Sequence, residues 1–183
     1  VPGEPNVFWM RIALLDHEPE IWRRLLVPGS VRLDKLHLIF QTAMGWTNSH
    51  LHQFRMSNAL YGMHVEEWDD DELHEIEYTL AEVVRPGGEF LYDYDFGDSW
   101  KHQVVVEHAS RTRPVLKFAV CTEGARACPP EDVGGTGGYA QLLEALRDPR
   151  HEEHEEYRTW VGEDFDPGLF DLAQVNAALQ RIR

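Results

Sequence analysis

Tyr92-Asp93-Tyr94-Asp95-Phe96-Gly97-Asp98-Ser99-Trp100-Lys101-His102 gathers carboxylates, aromatic rings and an imidazole around a glycine. Successive side chains of an extended chain point to opposite faces. Tyr92, Tyr94 and Phe96 would therefore share one face, and Asp93 and Asp95 the other. Asp98 with His102 is a candidate general-base pair, because a carboxylate orients an imidazole and raises its pKa toward working pH. A second source of chemistry is His50-Leu51-His52. Two imidazoles at i and i+2 of a strand lie about 6 to 7 Å apart on one face. A carboxylate such as Asp95 from a neighbouring strand would complete a two-histidine, one-carboxylate metal site, and a metal held there could activate water. Each group also has a plainer role. The aromatic rings suit a sheet core, Asp98 suits a turn that accepts backbone hydrogen bonds, and the histidines suit a polar sheet rim or a place beneath Trp46.

Other reactive patterns are incomplete. Ser49 and Ser99 lie near these groups, but neither stands in a G-x-S-x-G elbow, and Cys121 and Cys128 have no identifiable activating partner. Six residues separate the two cysteines, which is not the spacing of a zinc knuckle, and reduced thiols are expected. Cys128-Pro129-Pro130-Glu131-Asp132-Val133-Gly134-Gly135 has the glycines of a phosphate cradle. It lacks the Lys-Ser or Lys-Thr ending, and its acids would repel phosphate. Here Cys128, Asp132, Gly134 and Gly135 are assigned structural roles, as Gly97 is in the hairpin turn. His151 and His154 are three apart, so the acidic run around them fits no zincin frame and reads as a solvated helix surface. Arg23 alternates with Ile21 and Leu25 over an apolar face. Arg23 and Arg24 are therefore expected to be structural, with Asp93 or Asp95 as an attractive partner.

The elements that must position these groups follow from periodicity. Residues 7–15 and 21–27 read as a hairpin, and residues 33–44 as an amphipathic helix stopped by Gly45. Strands are expected at 50–57 and near 61–65, a short helix capped by Thr79 with Glu82 at 79–84, and a second hairpin at 89–96 and 100–108. A strand at 115–120 should lead into a Gly/Pro-rich loop at 121–138, with helices at 139–147, 151–160 and 171–181. The acidic run 66–77 holds too many like charges to pack inward and is expected as a surface excursion. The expected class is α+β, a mostly antiparallel sheet with an early inserted helix and a C-terminal helical group packed on it.

With 183 residues the chain suits one domain, 1–183. Its formal charge is −15, and residues 66–98 carry 13 acids against one basic residue, Arg85. Such a surface repels phosphate backbones and disfavours direct nucleic-acid binding. No run approaches the roughly 20 apolar residues of a membrane span, and the first residues lack the pattern of a signal peptide, so a cytoplasmic location is expected.

Four segments together carry a family resemblance: Ile21-Trp22-Arg23-Arg24-Leu25-Leu26-Val27-Pro28; Leu36-His37 leading to Gly45-Trp46 and His50-Leu51-His52-Gln53-Phe54; Tyr94 to His102; and Gly124 to Gly135. The chain resembles the plasmid pRiA4b ORF-three-like family from Phe8 to about Leu179. The resemblance implies kinship with insertion-element passenger proteins and supports the α+β reading, without naming a reaction. Two function classes remain. One is a binding or accessory module holding a small molecule or a protein partner in a cleft that includes Trp46, His50, His52, Asp95, Asp98, Trp100 and His102, with no cofactor. The other is a metal-dependent hydrolase or nuclease using His50, His52 and nearby aspartates.

Overall fold

A computed structural model describes residues 4–57, 59–63 and 71–182. Eight strands form one sheet in the order β5-β4-β3-β6-β7-β1-β2-β8. These are β1 (Val7–Leu14), β2 (Trp22–Pro28), β3 (His52–Met56), β4 (Ala59–Gly62), β5 (Glu72–His74), β6 (Glu89–Tyr94), β7 (Trp100–Ser110) and β8 (Val120–Ala125). Every pairing is antiparallel except β4 with β5. The helices are α1 (Leu33–Met44), α2 (Leu80–Val83), α3 (Gly135–Arg147), α4 (His154–Val161) and α5 (Leu172–Leu179). This is the expected α+β class, with α1 inserted early and three helices gathered at the C-terminal end.

Strand alternation explains why one sheet face is covered. Phe8, Met10, Ile12 and Leu14 of β1, Leu25 and Val27 of β2, Phe54 of β3, Tyr92 of β6 and Val104 and Val106 of β7 are all buried. Each fully buried side chain of this kind contributes about 1.5–3 kcal/mol of transfer free energy. Helix α1 turns Leu33, Leu36, Ile39, Phe40 and Ala43 into the same core, and Phe40 meets Tyr92 edge-on at a centroid distance of 5.3 Å. On the opposite face, Arg11 and Arg24 lie over Trp22 at 4.9 and 5.5 Å, and Arg24 bridges Glu107 and Glu123. Flat aromatic and guanidinium groups cover this face, as expected for a sheet with only one side packed by helices.

Several expectations need revision. The expected strand at 115–120 lies at Val120–Ala125, and the segment before it leaves Val115 and Phe118 exposed. Helix α3 begins at Gly135, inside the expected loop. Phe96 lies beyond the end of β6 and is 56% exposed, so it does not join the aromatic face of Tyr92 and Tyr94. The part of the acidic excursion that is described, 71–77, forms β5 and a 3-10 turn in which Glu75 is buried; residues 66–70 lie outside the described residues.

Arg23 does not pair with Asp93 or Asp95. Its Nε donates to the Ala43 carbonyl at 2.7 Å and its Nη2 to the Met44 carbonyl at 3.1 Å. The same guanidinium donates to the carbonyls of Trp22, Ala125 and Arg126, each at 2.8 Å. Ala43 and Met44 end α1, where carbonyls lack intrahelical partners and the helix dipole is negative. A buried cation is therefore satisfied by carbonyl dipoles rather than by an acid, with the Phe170 ring 4.2 Å from its Cζ. Burial lowers the Arg23 pKa, yet arginine stays charged in a protein. Asp93 instead pairs with Arg55 on the outer face. Arg24 is structural as expected, with Glu107 and Glu123 as its partners.

Candidate functional site

Arg23 ties together the starting points of two loops, residues 45–51 after α1 and residues 126–134 before α3. Gly45 turns the first loop with φ 112°, a left-handed conformation that favours glycine. The second loop docks on the β6–β7 turn, where Asp98 Oδ2 accepts the Gly134 N–H at 3.0 Å. Gly135 has φ 67°, and a Cβ there would lie 2.6 Å from the Asp98 carbonyl oxygen. Only glycine permits this approach. The three loops meet above one end of β3, β6 and β7.

His50, Asp95 and Asp132 converge at that meeting point, their ligand atoms all within 4.8 Å of one another. His50 Nε2 lies 3.0 Å from Asp132 Oδ1, 3.5 Å from Asp95 Oδ2 and 3.9 Å from Glu131 Oε2. Strand β6 stops at Tyr94, and Asp95 takes φ 56°, which breaks the alternation and separates Asp95 from the outward Asp93. The other Asp95 oxygen, Oδ1, accepts the Gly97 and Asp98 N–H groups at 3.0 and 3.3 Å and so fixes the carboxylate. Glu131 is fixed in the same manner. Its Oε1 accepts from the Thr47 N–H, the Thr47 hydroxyl and the Tyr94 hydroxyl at 2.7, 2.9 and 2.9 Å, leaving Oε2 directed to the cluster. Burial and the adjacent Glu131 carboxylate both raise the Tyr94 pKa, keeping the phenol a donor.

Among the described residues, two buried atoms at this point, His50 Nε2 and Glu131 Oε2, make no hydrogen bond of acceptable geometry, although Nε2 faces the Asp132 carboxylate at 3.0 Å. Buried polar atoms seldom remain unsatisfied. Donors bound to one tetrahedral ion at about 2.1 Å stand roughly 3.4 Å apart, and the spacings from Nε2 of 3.0 to 3.9 Å bracket that value. One imidazole and up to three carboxylates form a set suited to a divalent ion of intermediate hardness. The Asp132 side chain is 73% exposed, so the cluster is open to solvent on that side.

His52 belongs to a different assembly. Strand β3 begins at His52, and His50 lies in the preceding loop, so the two imidazoles do not share a strand face. The His52 ring stacks on His37 at a centroid distance of 3.4 Å, and its Nε2 meets Glu75 Oε2 at 2.7 Å. His37 contacts the Tyr92 hydroxyl at 2.7 Å through Nδ1 and Asn48 Oδ1 at 2.6 Å through Nε2. Gln41 donates to the same Tyr92 hydroxyl and accepts the Asn48 N–H, both at 2.8 Å. Burial first, and then the neighbouring His52, push the His37 pKa down to about 3. This network anchors the loop that carries His50 and supplies no group to the cluster of His50, Asp95 and Asp132.

His102 and Asp98 likewise have separate partners. His102 is fully buried; its Nδ1 lies 3.0 Å from the Tyr92 carbonyl oxygen and so donates to it, which leaves Nε2 to accept from Trp46 Nε1 at 3.1 Å. Burial lowers its pKa to about 4. A neutral imidazole locked between two partners braces Trp46, and Asp98 docks the Gly134 loop. Trp100 is also buried, its ring 5.3 Å from that of Trp46. Cys121 and Cys128 are free thiols, and burial raises both pKa values.

Of the residues singled out from sequence, His50 and Asp95 come together, and His52, Asp98 and His102 stand apart from them. Asp132, read as structural, supplies a third donor. Sequence reasoning misses Glu131, although Glu131-Asp132, separated from Gly134-Gly135 only by Val133, place negative charge where a glycine loop turns toward the sheet.

The architecture defines a class: an α+β protein whose antiparallel sheet is covered on one face and carries a loop-borne acidic and histidine cluster at one end. The chain belongs to the plasmid pRiA4b ORF-3-like protein family, whose pattern it matches over residues 6–174. It is 45% identical over 174 residues to y4hQ, an uncharacterized protein of Sinorhizobium fredii, covering 92% of this chain and 88% of that one. The crystal structure of MM3350, a protein of unknown function from Methanosarcina mazei Go1, is similar with a TM-score of 0.85 and 35% identity. That similarity covers 93% of this chain and 98% of the other.

Proposed function

We propose that this protein is a divalent-metal-binding module whose ion is held by His50 Nε2, Asp95 Oδ2 and Asp132, with Glu131 Oε2 as a fourth donor. The observation that carries the reading is the convergence of the His50, Asp95 and Asp132 ligand atoms, with Glu131 Oε2 3.9 Å from His50 Nε2. Arg23, the Gln41–Asn48 contact and the Asp98–Gly134 bond hold the donor loops in place. The exposed side leaves room for water or a ligand to complete the coordination. A groove of about 860 Å³ opens beside Asp132 and is lined by Glu153, Glu155, Glu156, Tyr157 and Trp160. These carboxylates repel a phosphate backbone, which argues against a nuclease. The ligand of the module is therefore a small molecule or a protein segment without dense negative charge.

A metal-dependent hydrolase is the second reading, favoured by the open coordination side, because a bound ion lowers the pKa of its water. Both readings require the metal. Titration calorimetry with Zn²⁺ and Mn²⁺ should give one site per chain, and Asp95→Asn or His50→Ala should weaken binding by more than about 100-fold with His52→Gln retaining the site. Equal binding by wild type and Asp95→Asn would refute the assignment. Affinity should also rise with pH, since the ligands bind metal in their deprotonated forms.

A further inference from the structure

A second cavity, of about 670 Å³, lies away from the histidine cluster, between the turn after β2, the start of α1, the 117–119 link and the end of α5. Ile39, Phe118 and Leu179 form its apolar wall, and Arg32, Lys35 and Lys117 are the charged residues of its lining. Among the described residues, no carboxylate lines it. That is unusual in a chain of formal charge −15 with only three lysines, two of which are Lys35 and Lys117. Arg32 is committed to Asp34 through two bonds of 2.9 Å, whereas Lys35 and Lys117 have no ion pair within 4.0 Å among the described residues. Ile39, Ala119 and Leu179 are buried at its floor, while Phe118 stands 40% exposed.

We infer that this cavity binds a single-chain amphipathic anion, a free acyl carboxylate with its tail along Ile39, Phe118 and Leu179 and its head group between the Lys35 and Lys117 ammonium ions. Its size is within the range of about 300–1,000 Å³ typical of ligand pockets. The apolar wall and the two lysines of the lining together select both halves of such a ligand. A polyanion such as nucleic acid would meet the acidic remainder of the surface, and a cationic amphiphile would meet the lysines.

Calorimetry on the whole chain with dodecanoate, below its micellar concentration, tests this directly. Dodecanoate should bind at one site, and decanoate and octanoate progressively more weakly, by roughly fourfold for each methylene removed. Dodecylamine should bind at least tenfold more weakly than dodecanoate. The double variant Lys35→Glu/Lys117→Glu should lose at least tenfold in dodecanoate affinity while keeping the wild-type circular dichroism spectrum and metal affinity. Independence of chain length, equal binding of dodecylamine, or an unchanged affinity in the folded double variant would overturn the proposal. So would binding to phosphatidylglycerol vesicles without binding to free dodecanoate, which would mark the face as a membrane contact.

Discussion

Arg23 is the residue on which the arrangement of the site most depends. Its guanidinium satisfies five carbonyls drawn from α1, β2 and the end of β8. Arg23→Met would leave those carbonyls without a donor in a buried place, and should reduce unfolding free energy by about 3 kcal/mol or more in urea titration. Arg23→Lys should recover only part of this, since three donors on a point charge replace five on a planar fork. His102 yields a pH prediction. Its folded pKa of about 4 lies below the unfolded value of about 6.5, so the folded state takes up its proton later than the unfolded one. Its contribution is complete above pH 6.5 and is lost as pH falls from 6.5 to about 4, by about 3 kcal/mol in total. Urea titrations at pH 8 and pH 4.5 should show that loss in wild type and a flatter profile in His102→Gln. The sequence disclosed that Arg23 sits over an apolar face and must be satisfied. It did not disclose that helix-end carbonyls would satisfy it, because a carbonyl acceptor is common to every residue type and leaves no mark in the sequence.

Among the elements, the loops hold the site and the strands hold the loops. The first hairpin, α1 and the second hairpin were legible from their periods, since burial of one face imposes period 2 or 3.6 on side-chain polarity. β8 was not. As an edge strand running Val-Cys-Thr-Glu-Gly-Ala, it is held by backbone pairing with β2, while the Val115 to Phe118 segment just before it is more apolar. The separation of His50 from His52 is not visible to periodicity for a related reason. Alternation does not reach back to His50: the strand begins at His52, and Asn48 with φ 57° marks a loop. Asp95 departs from alternation through its own positive φ. Gly135→Ala tests the docking of the second loop. A Cβ there meets the Asp98 carbonyl and the positive φ disfavours alanine, so stability should fall by about 1–3 kcal/mol. Metal affinity should drop by roughly 10-fold or more although no ligand is altered.

At the scale of the whole molecule, charge and apolar surface are distributed unevenly. The formal charge of −15 coexists with an acidic groove beside Asp132 and a cavity at α1 that carries two of the three lysines. Among the described residues no helix is long and apolar enough to cross a membrane. Family membership spans residues 6–174 and thus includes both loops and every proposed metal ligand. The central claim, that His50, Asp95, Asp132 and Glu131 hold one ion, is tested most directly by anomalous diffraction from crystals of the protein loaded with Zn²⁺ or Mn²⁺. The predicted result is a single strong peak within about 2.0–2.4 Å of His50 Nε2 and Asp95 Oδ2, with Asp132 or Glu131 completing the shell. A peak at the His37–His52 pair, or full metal loading with no peak between His50 and Asp95, would contradict it.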